Sequence, residues 1–247
     1  MQFKKKLLQI FMIKKIKDLI IETFYSRNLF LNTFRYFFFD FKKLKARLVT
    51  GKMKKSYLRK NKNFPKMLHL GCGRRKIQGW LNVDISNSDI NVDLTNKNLP
   101  FPSKFFEVIV SQHVIEHLDL KNELEPLFKE LHRVLNSKGS LFLSCPSIKK
   151  ICESYIKDGC KTLVDGRKRR FPSWSLDGYP NVQIINELFH QGTEHKNLFD
   201  FELLSFSLCK CGFTKVEEID EKIFLRKYKS FPKRFDDEQT LYIVAYK

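Results

Sequence analysis

Three short runs of the chain set small, acidic and histidine side chains at the ends of apolar segments. Leu70-Gly71-Cys72-Gly73 closes an apolar run that begins at Met67. Trp80 to Val83 is a second such run, and it stops on Asp84. Phe105 to Val110 is a third, stopping on Ser111-Gln112-His113. A strand that enters a glycine turn, followed by a strand ending in an acid, is how an open parallel sheet presents a nucleoside site. Glycine lets backbone approach a ligand and adopt positive φ, and the acid accepts hydrogen bonds from ribose hydroxyls. Against that reading stand two plain ones, a structural tight turn at Gly71 and Gly73 and a loop-capping aspartate at Asp84.

Histidines supply the second group of candidates. His113 is of the right type for a general base, since an unperturbed imidazole titrates near neutrality. The alternative is a histidine that shapes a pocket and moves no proton. His113-Val-Ile-Glu116-His117 also matches an inverted zinc-peptidase pattern. That chemistry needs both histidines on one helical face and a third ligand downstream. Here the six preceding residues read as strand, so no metal site is expected. Further on, Glu187, His190, Glu194 and His195 gather beside Phe199-Asp200. His195 is a second candidate base or substrate contact, or else a loop histidine bonded to backbone. Phe171, Trp174 and Tyr179 suit stacking on a sugar or aromatic acceptor, and equally a small local core. Arg167 to Arg170 suits a phosphorylated acceptor, although charge runs are commonly solvated faces.

The elements that must position these residues follow from periodicity. Met67–Leu70 and Leu81–Asp84 read as strands, with only ten residues between Leu70 and Leu81, so at most a turn or two of helix fits there. Ile90 to Val92 follows Asp84 too closely for a full parallel neighbour, because a parallel crossover takes about a dozen residues. Phe105 to Val110 is apolar on both faces, as a buried parallel strand should be. Leu124, Leu127, Phe128, Leu131, Val134 and Leu135 mark a helix. Asn122 is its expected cap and Gly139 its left-handed end. Ser140 to Cys145 is a fifth strand. Residues 147–200 break the rhythm and read as loops and short helices above the strand ends. Phe199 to Cys211 is a late helix, and Val216–Ile219 with Thr240–Tyr246 alternate like an antiparallel pair.

Charge separates the chain into two parts. Of the 247 residues, 1–63 hold 18 Lys/Arg against 3 Asp/Glu, and 64–247 hold 28 against 24. The net +19 therefore belongs mainly to an appendage of two or three basic amphipathic helices with a lysine-rich linker at Gly51 to Lys62. Such helices suit an anionic membrane surface through residues 1–48, or a cap over the domain. Six cysteines with no secretory pattern read as reduced thiols, and the expected location is the cytoplasm, with peripheral contact at the inner membrane face as an option. The expected division is 1–63 as extension and 64–247 as domain, with an acceptor-side insertion at 147–200.

LHLGCG, GWLNVD, NVDLTNKNLPFP, FFEVIVSQHVIEHL and ELHRVLNSKGSLFLSCPS, in that order, resemble the class I S-adenosylmethionine-dependent methyltransferases, above all their small bacterial type 11 branch. The resemblance covers roughly Phe64 to Pro146. It implies an α/β, Rossmann-like, mostly parallel sheet with an antiparallel last strand. It implies S-adenosyl-L-methionine as cofactor, held by Leu70, Gly71, Cys72, Gly73, Asp84, Ile85, Asp93, Leu94, Ser111, Gln112 and His113. Asp84 takes the ribose position, Asp93 with Leu94 the adenine edge, and Arg74 or Arg75 the neighbourhood of the cofactor's carboxylate. His113 would face the methyl group, and a histidine ahead of Phe-Asp, here His195, also recurs in the family. Family members usually carry an acid where this chain has His69. Relatives found with surface-polysaccharide genes suggest a small-molecule or glycan acceptor methylated on oxygen or nitrogen, and no nucleic acid. The rival readings are a cofactor-binding protein without turnover, a nucleic-acid methyltransferase and a nicotinamide oxidoreductase. The last lacks the third spaced glycine and the first helix that would receive a pyrophosphate.

Overall fold

The structure is a computed structural model and describes residues 37–191 and 194–247. The chain divides into two compact units, 1–45 and 46–247. Of the first, residues 37–45 are helical, with Phe37, Phe39, Phe41 and Leu44 exposed. Most of the basic amphipathic stretch expected over residues 1–48, and with it most of the stretch proposed to meet membrane, lies outside the described residues. Among the described residues no helix is long and apolar enough to cross a membrane.

The second unit opens with helix α1, residues 46–61. The lysine-rich run read above as a linker is therefore helical. Met53, Tyr57 and Leu58 recur at helical spacing and pack against the main core, leaving the lysines outward. Arg47 and Thr50 fasten α1 to the sheet edge. Arg47 Nε donates to Asp93 Oδ2 at 2.7 Å, and Thr50 Oγ1 donates to the Asn91 carbonyl at 2.7 Å.

Seven strands follow: β1 (Met67–Leu70), β2 (Leu81–Asp84), β3 (Ile90–Asn91), β4 (Phe106–Gln112), β5 (Leu135–Pro146), β6 (Lys215–Ile219) and β7 (Thr240–Tyr246). Their order in the sheet is β3-β2-β1-β4-β5-β7-β6. Strands β1 to β5 pair in parallel, and β7 runs antiparallel to both β5 and β6. Chain order reverses at β1, between β2 and β4, where ligands of open α/β sheets bind. β3 is a parallel neighbour of β2 after all, but only through Val83↔Ile90 and Asp84↔Asn91. Two residues of pairing need no helical crossover. The intervening loop is held by Asp89, whose amide donates to the Asn82 carbonyl and whose Oδ2 accepts from the Asn82 amide.

Helix α2 (Glu125–Val134) is preceded by a π-helical turn, Leu120–Leu124, and the cap is Asp119 rather than Asn122. Asp119 accepts from the Asn122 amide while Glu123 accepts from the Asp119 amide, a reciprocal arrangement three residues ahead of the expected one. Gly139 lies within β5 and has no positive φ. A Cβ there would stand 2.8 Å from Leu135 Cδ2, so close packing, not a left-handed cap, requires the glycine.

The insertion holds more helix than its composition suggested: α3 (Ile148–Asp158), α4 (Lys161–Arg170) and α5 (Gln183–His190). Ile151, Cys160, Leu163, Val164, Ile184 and Leu188 form its own core, which Trp174 joins. Phe171 and Tyr179 stay exposed. The basic run Arg167 to Arg170 is the last turn of α4, where cations complement the helix dipole. Helices α6 (Phe201–Lys210) and α7 (Glu221–Lys227) complete the chain.

The ten-residue β1–β2 connection contains no helix, so that part of the sheet face needs another cover. Trp80, Phe224, Tyr228 and Phe231 supply it, with Phe231 edge-on to Trp80 at 4.8 Å and to His69 at 4.9 Å. Phe231→Ala leaves a cavity at the centre of this cluster, and urea unfolding should show a loss of about 3–5 kcal/mol.

Candidate functional site

The glycine turn and the acid of β2 meet across the switch point. Gly71 and Gly73 have φ of +69° and +54°, values that side chains with a Cβ resist. Gly71 and Cys72 donate to the Val83 carbonyl at 2.8 and 3.1 Å, bending the turn over β2. Asp84 then ties both segments together, with Oδ2 accepting from Gly73 N at 2.8 Å and Oδ1 from Ile85 N at 2.6 Å. A Cβ on Gly73 would meet nothing within 4 Å, so this turn faces open space. Gly71 differs, because the Val114 side chain already occupies the place its Cβ would take, 2.2 Å away. A carboxylate offers about four lone-pair sites, so two of those on Asp84 remain for a ribose. Gly73 and Asp84 thus fit the adenosyl group that the resemblance implies.

Other expected contacts are placed differently. Leu70 is fully buried and Cys72 nearly so, and burial pushes the Cys72 thiol up to about 12, which leaves these two only backbone to offer. Asp93 is buried with both oxygens taken, Oδ2 by Arg47 and Oδ1 by the amide and hydroxyl of Thr95. It anchors α1 instead of standing free for an adenine amine, while Leu94 packs on the core beside it. Ser111 and Gln112, being adjacent in β4, point to opposite sheet faces. Gln112 shares its side with Phe142, Phe224 and Tyr242, away from the turn. Ser111 is buried, and its hydroxyl has no partner among the described residues. His69 is built into the aromatic cluster with Nδ1 3.3 Å from Asn82 Oδ1, and burial lowers its pKa to about 4, so it is neutral.

His113 is a charged anchor in this site, not a free base. It follows β4 in a left-handed conformation, φ +54°, which is uncommon outside glycine. Nδ1 lies 3.3 Å from Glu116 Oε1, and Nε2 lies 3.3 Å from Asp236 Oδ2. Burial pushes the imidazole pKa down, but Asp236 and Glu116 outweigh it and hold the ring above its ordinary value. With both nitrogens protonated there is no lone pair to accept a proton. Glu116 is likewise pushed up by burial and pulled lower still by His113, so it stays ionised. Asp236 is further held by Arg234 Nε at 3.0 Å and by the Tyr242 hydroxyl at 2.6 Å.

The 3-10 turn Ile115–His117 and the segment after α5 are joined through backbone. Lys196 and Asn197 both donate to the Glu116 carbonyl, at 2.8 and 3.2 Å. That seam sets His117 and His195 edge to face, ring centroids 4.8 Å apart. His195 Nδ1 is 2.7 Å from the Leu188 carbonyl, and Nε2 is buried with no partner. Burial lowers its pKa, so this ring is neutral. Both candidate bases, His113 and His195, therefore reach one place. The zinc-peptidase arrangement does not form, because His113 sits at a strand end and not on a helix with His117.

That place is a cavity of about 620 Å³ above the ends of β1, β4 and β5. Arg75, His113 and Pro146 contribute from the sheet, α4 contributes Arg167, Arg169 and Arg170, and the loop before β7 contributes Lys233, Arg234 and Asp236. Arg75 was expected near a cofactor carboxylate and stands where the turn opens towards this cavity. Asp236 and Arg234 escaped the sequence reading, since Lys233-Arg-Phe-Asp-Asp-Glu238 has the look of a solvated charge run. Only the antiparallel return of β7, which lays Thr240 beside Pro146, brings them to the site.

A family model described as a methyltransferase domain matches residues 68–143, from β1 into β5. No curated protein matches the chain. Among solved structures, the chain is similar to a SAM-dependent methyltransferase from Archaeoglobus fulgidus at 18% identity, covering 86% of this chain and 99% of that one, TM-score 0.40. It is similar to a possible histamine N-methyltransferase from Thermotoga maritima at 13%, covering 85% and 96%, TM-score 0.42. Phosphoethanolamine N-methyltransferase 2 of Haemonchus contortus, in complex with S-adenosyl-L-methionine, is 13% identical over 73% of this chain and 48% of that one, TM-score 0.39. The chain thus spans about half the length of that last protein. Sheet order, glycine turn and family match define a class I methyltransferase fold.

Proposed function

We propose that the protein is an S-adenosylmethionine-dependent methyltransferase, that its acceptor is a small molecule carrying a phosphate or carboxylate, bound in the arginine-lined cavity, and that the cofactor lies between Gly73 and Asp84. The observation that carries this is the cavity's charge. Six arginine and lysine side chains line it, Arg75, Arg167, Arg169, Arg170, Lys233 and Arg234, and the charged His113 joins them, against the single lining acid Asp236. Glu187 and Glu238 answer some of them from behind. Arg167 Nε is buried without a partner, a donor that a bound anion would satisfy. A phosphorylated or acidic sugar, with the exposed Phe171 ring at the rim, combines the charge with a stacking face.

S-adenosylmethionine, when bound, supplies an activated methyl group on a sulfonium. The chain's own task is to hold donor and acceptor in line and exclude water. Asp84 offers its two free lone-pair sites to ribose hydroxyls, Gly73 leaves room for the ligand to approach, and Leu94 flanks the base. The arginines of α4 orient the acceptor's anion, so that its nucleophile points down towards β4. His113 keeps the floor rigid and charged and takes no proton.

The reading is tested by methyl incorporation from labelled cofactor across matched phosphorylated, carboxylated and neutral small molecules. Labelling of the anionic members is expected, and exclusive labelling of neutral ones would overturn it. Arg167→Gln should raise the acceptor KM by about tenfold to a hundredfold, the worth of one charge-assisted hydrogen bond, and leave cofactor affinity unchanged.

A further inference from the structure

Glu116, His117 and His195 each turn one ligand atom towards the others, all within 4.8 Å of one another. Two features separate this cluster from a chance grouping. First, two of its members hold buried ligand atoms with spare capacity. Glu116 is 1% exposed, its Oε1 faces only His113 at 3.3 Å and its Oε2 has no partner, and Nε2 of His195 is buried without one. Such atoms are rare in native proteins and call for a missing partner. Second, both histidines are held in the tautomer that ligation requires. Nδ1 of His195 faces the Leu188 carbonyl at 2.7 Å, and Nδ1 of His117 faces the Glu194 carbonyl at 3.2 Å. Each Nδ1–H therefore donates to backbone and leaves the Nε2 lone pair bare, which is how metal-bound imidazoles are oriented by their outer partners.

We propose that Glu116, His117 and His195 form the protein side of a divalent transition-metal site in the wall of the acceptor cavity. Two imidazoles and one carboxylate suit zinc, iron or cobalt better than magnesium or calcium, which prefer oxygen-only sets. Three protein ligands also leave coordination positions open, as catalytic sites do and structural ones do not. His117 and His195 both line the cavity, so the open positions face the space assigned to the acceptor. Ligands of a tetrahedral ion lie about 3.4 Å apart at bond lengths near 2.1 Å, so loading closes the three side chains by about an ångström. Glu116 can serve two neighbours, Oε1 facing His113 while Oε2 is left for the ion. Use of the ion to hold an acceptor oxygen rests on the function proposed above. The binding itself does not.

The test uses the full chain without a histidine tag, stripped with a chelator and titrated with Co(II), followed by Zn(II) competition. One Co(II) per chain with ligand-field absorption bands is expected, displaced by Zn(II). His195→Gln and Glu116→Gln should each weaken Co(II) binding by at least about tenfold, the least that losing even an outer-shell partner costs. His190→Gln, at an exposed position, should not. Absence of the bands, or equal affinity in all three variants and the wild type, would overturn the site. Cofactor binding is measured on the same samples. Cobalt bound without cofactor binding sinks the function proposed above and leaves the metal site standing, and cofactor bound without cobalt does the reverse.

Discussion

Asp84→Ala should weaken binding of S-adenosylmethionine by at least about a hundredfold in isothermal titration. Two charge-assisted hydrogen bonds to ribose hydroxyls, at roughly 1.5–3 kcal/mol each, account for about 3 kcal/mol or more, and every 1.4 kcal/mol is about a factor of ten. The substitution also frees the turn. Gly73 N and Ile85 N both donate to this carboxylate, so its removal leaves the glycine turn untied from β2 just where the ligand must find it formed. Asp84→Asn separates the two contributions. One amide oxygen can still accept from Gly73 or from Ile85, not both, and the charge is gone. An intermediate loss, about tenfold, is expected there. Circular dichroism should show both variants folded, since Asp84 sits half-buried at a strand end outside the core. Undiminished affinity in Asp84→Ala would mean that the cofactor does not lie between the turn and the acid.

How far the sequence could be read depended on whether function or packing decided a residue's place. The parallel strands announced themselves through their apolar centres, Val108-Ile-Val110 in β4 and Leu141-Phe-Leu143 in β5. Gly73 and Asp84 were legible for the same reason: strand ends fix which residues meet at a switch point. Asp93 was misplaced because nothing local says that Arg47, 46 residues earlier, will claim its carboxylate. The linker at Gly51 to Lys62 was misread on composition, since lysines on a helix's outer face look the same as lysines in a coil. His113 shows the limit most sharply. Its type suggested a base, but its charge state is set by Asp236, 123 residues downstream and brought over by β7. His195 has no sequence proximity to Glu116 and His117, and only backbone bonds from the insertion bring it to them.

Replacing Asp236 by Ala should be the most destabilising single change at the site, costing about 3–5 kcal/mol, because it strands the buried His113 charge and removes the acceptor of the Tyr242 hydroxyl. The same cluster makes stability depend on pH in a direction that can be worked out. His113 has a folded pKa above its ordinary 6.5, burial being outweighed by Asp236 and Glu116. Its contribution is therefore complete below that ordinary value and is lost as pH rises through the raised one. Asp236 and Glu116 have folded values below their ordinary 3.8 and 4.5, burial again being outweighed, here by His113. Their contribution is present above those ordinary values and lost as pH falls through the lowered ones. The cluster thus stabilises most between about pH 4.5 and 6.5 and less on either side. Unfolding free energies from urea titrations should fall from about pH 6.5 into the alkaline range in the wild type. In Asp236→Asn the shape is kept but the charge is gone, so the His113 pKa drops and this alkaline slope should flatten. A slope unchanged in Asp236→Asn would show that His113 is neutral in the folded protein, and it would return His113 to the list of possible bases.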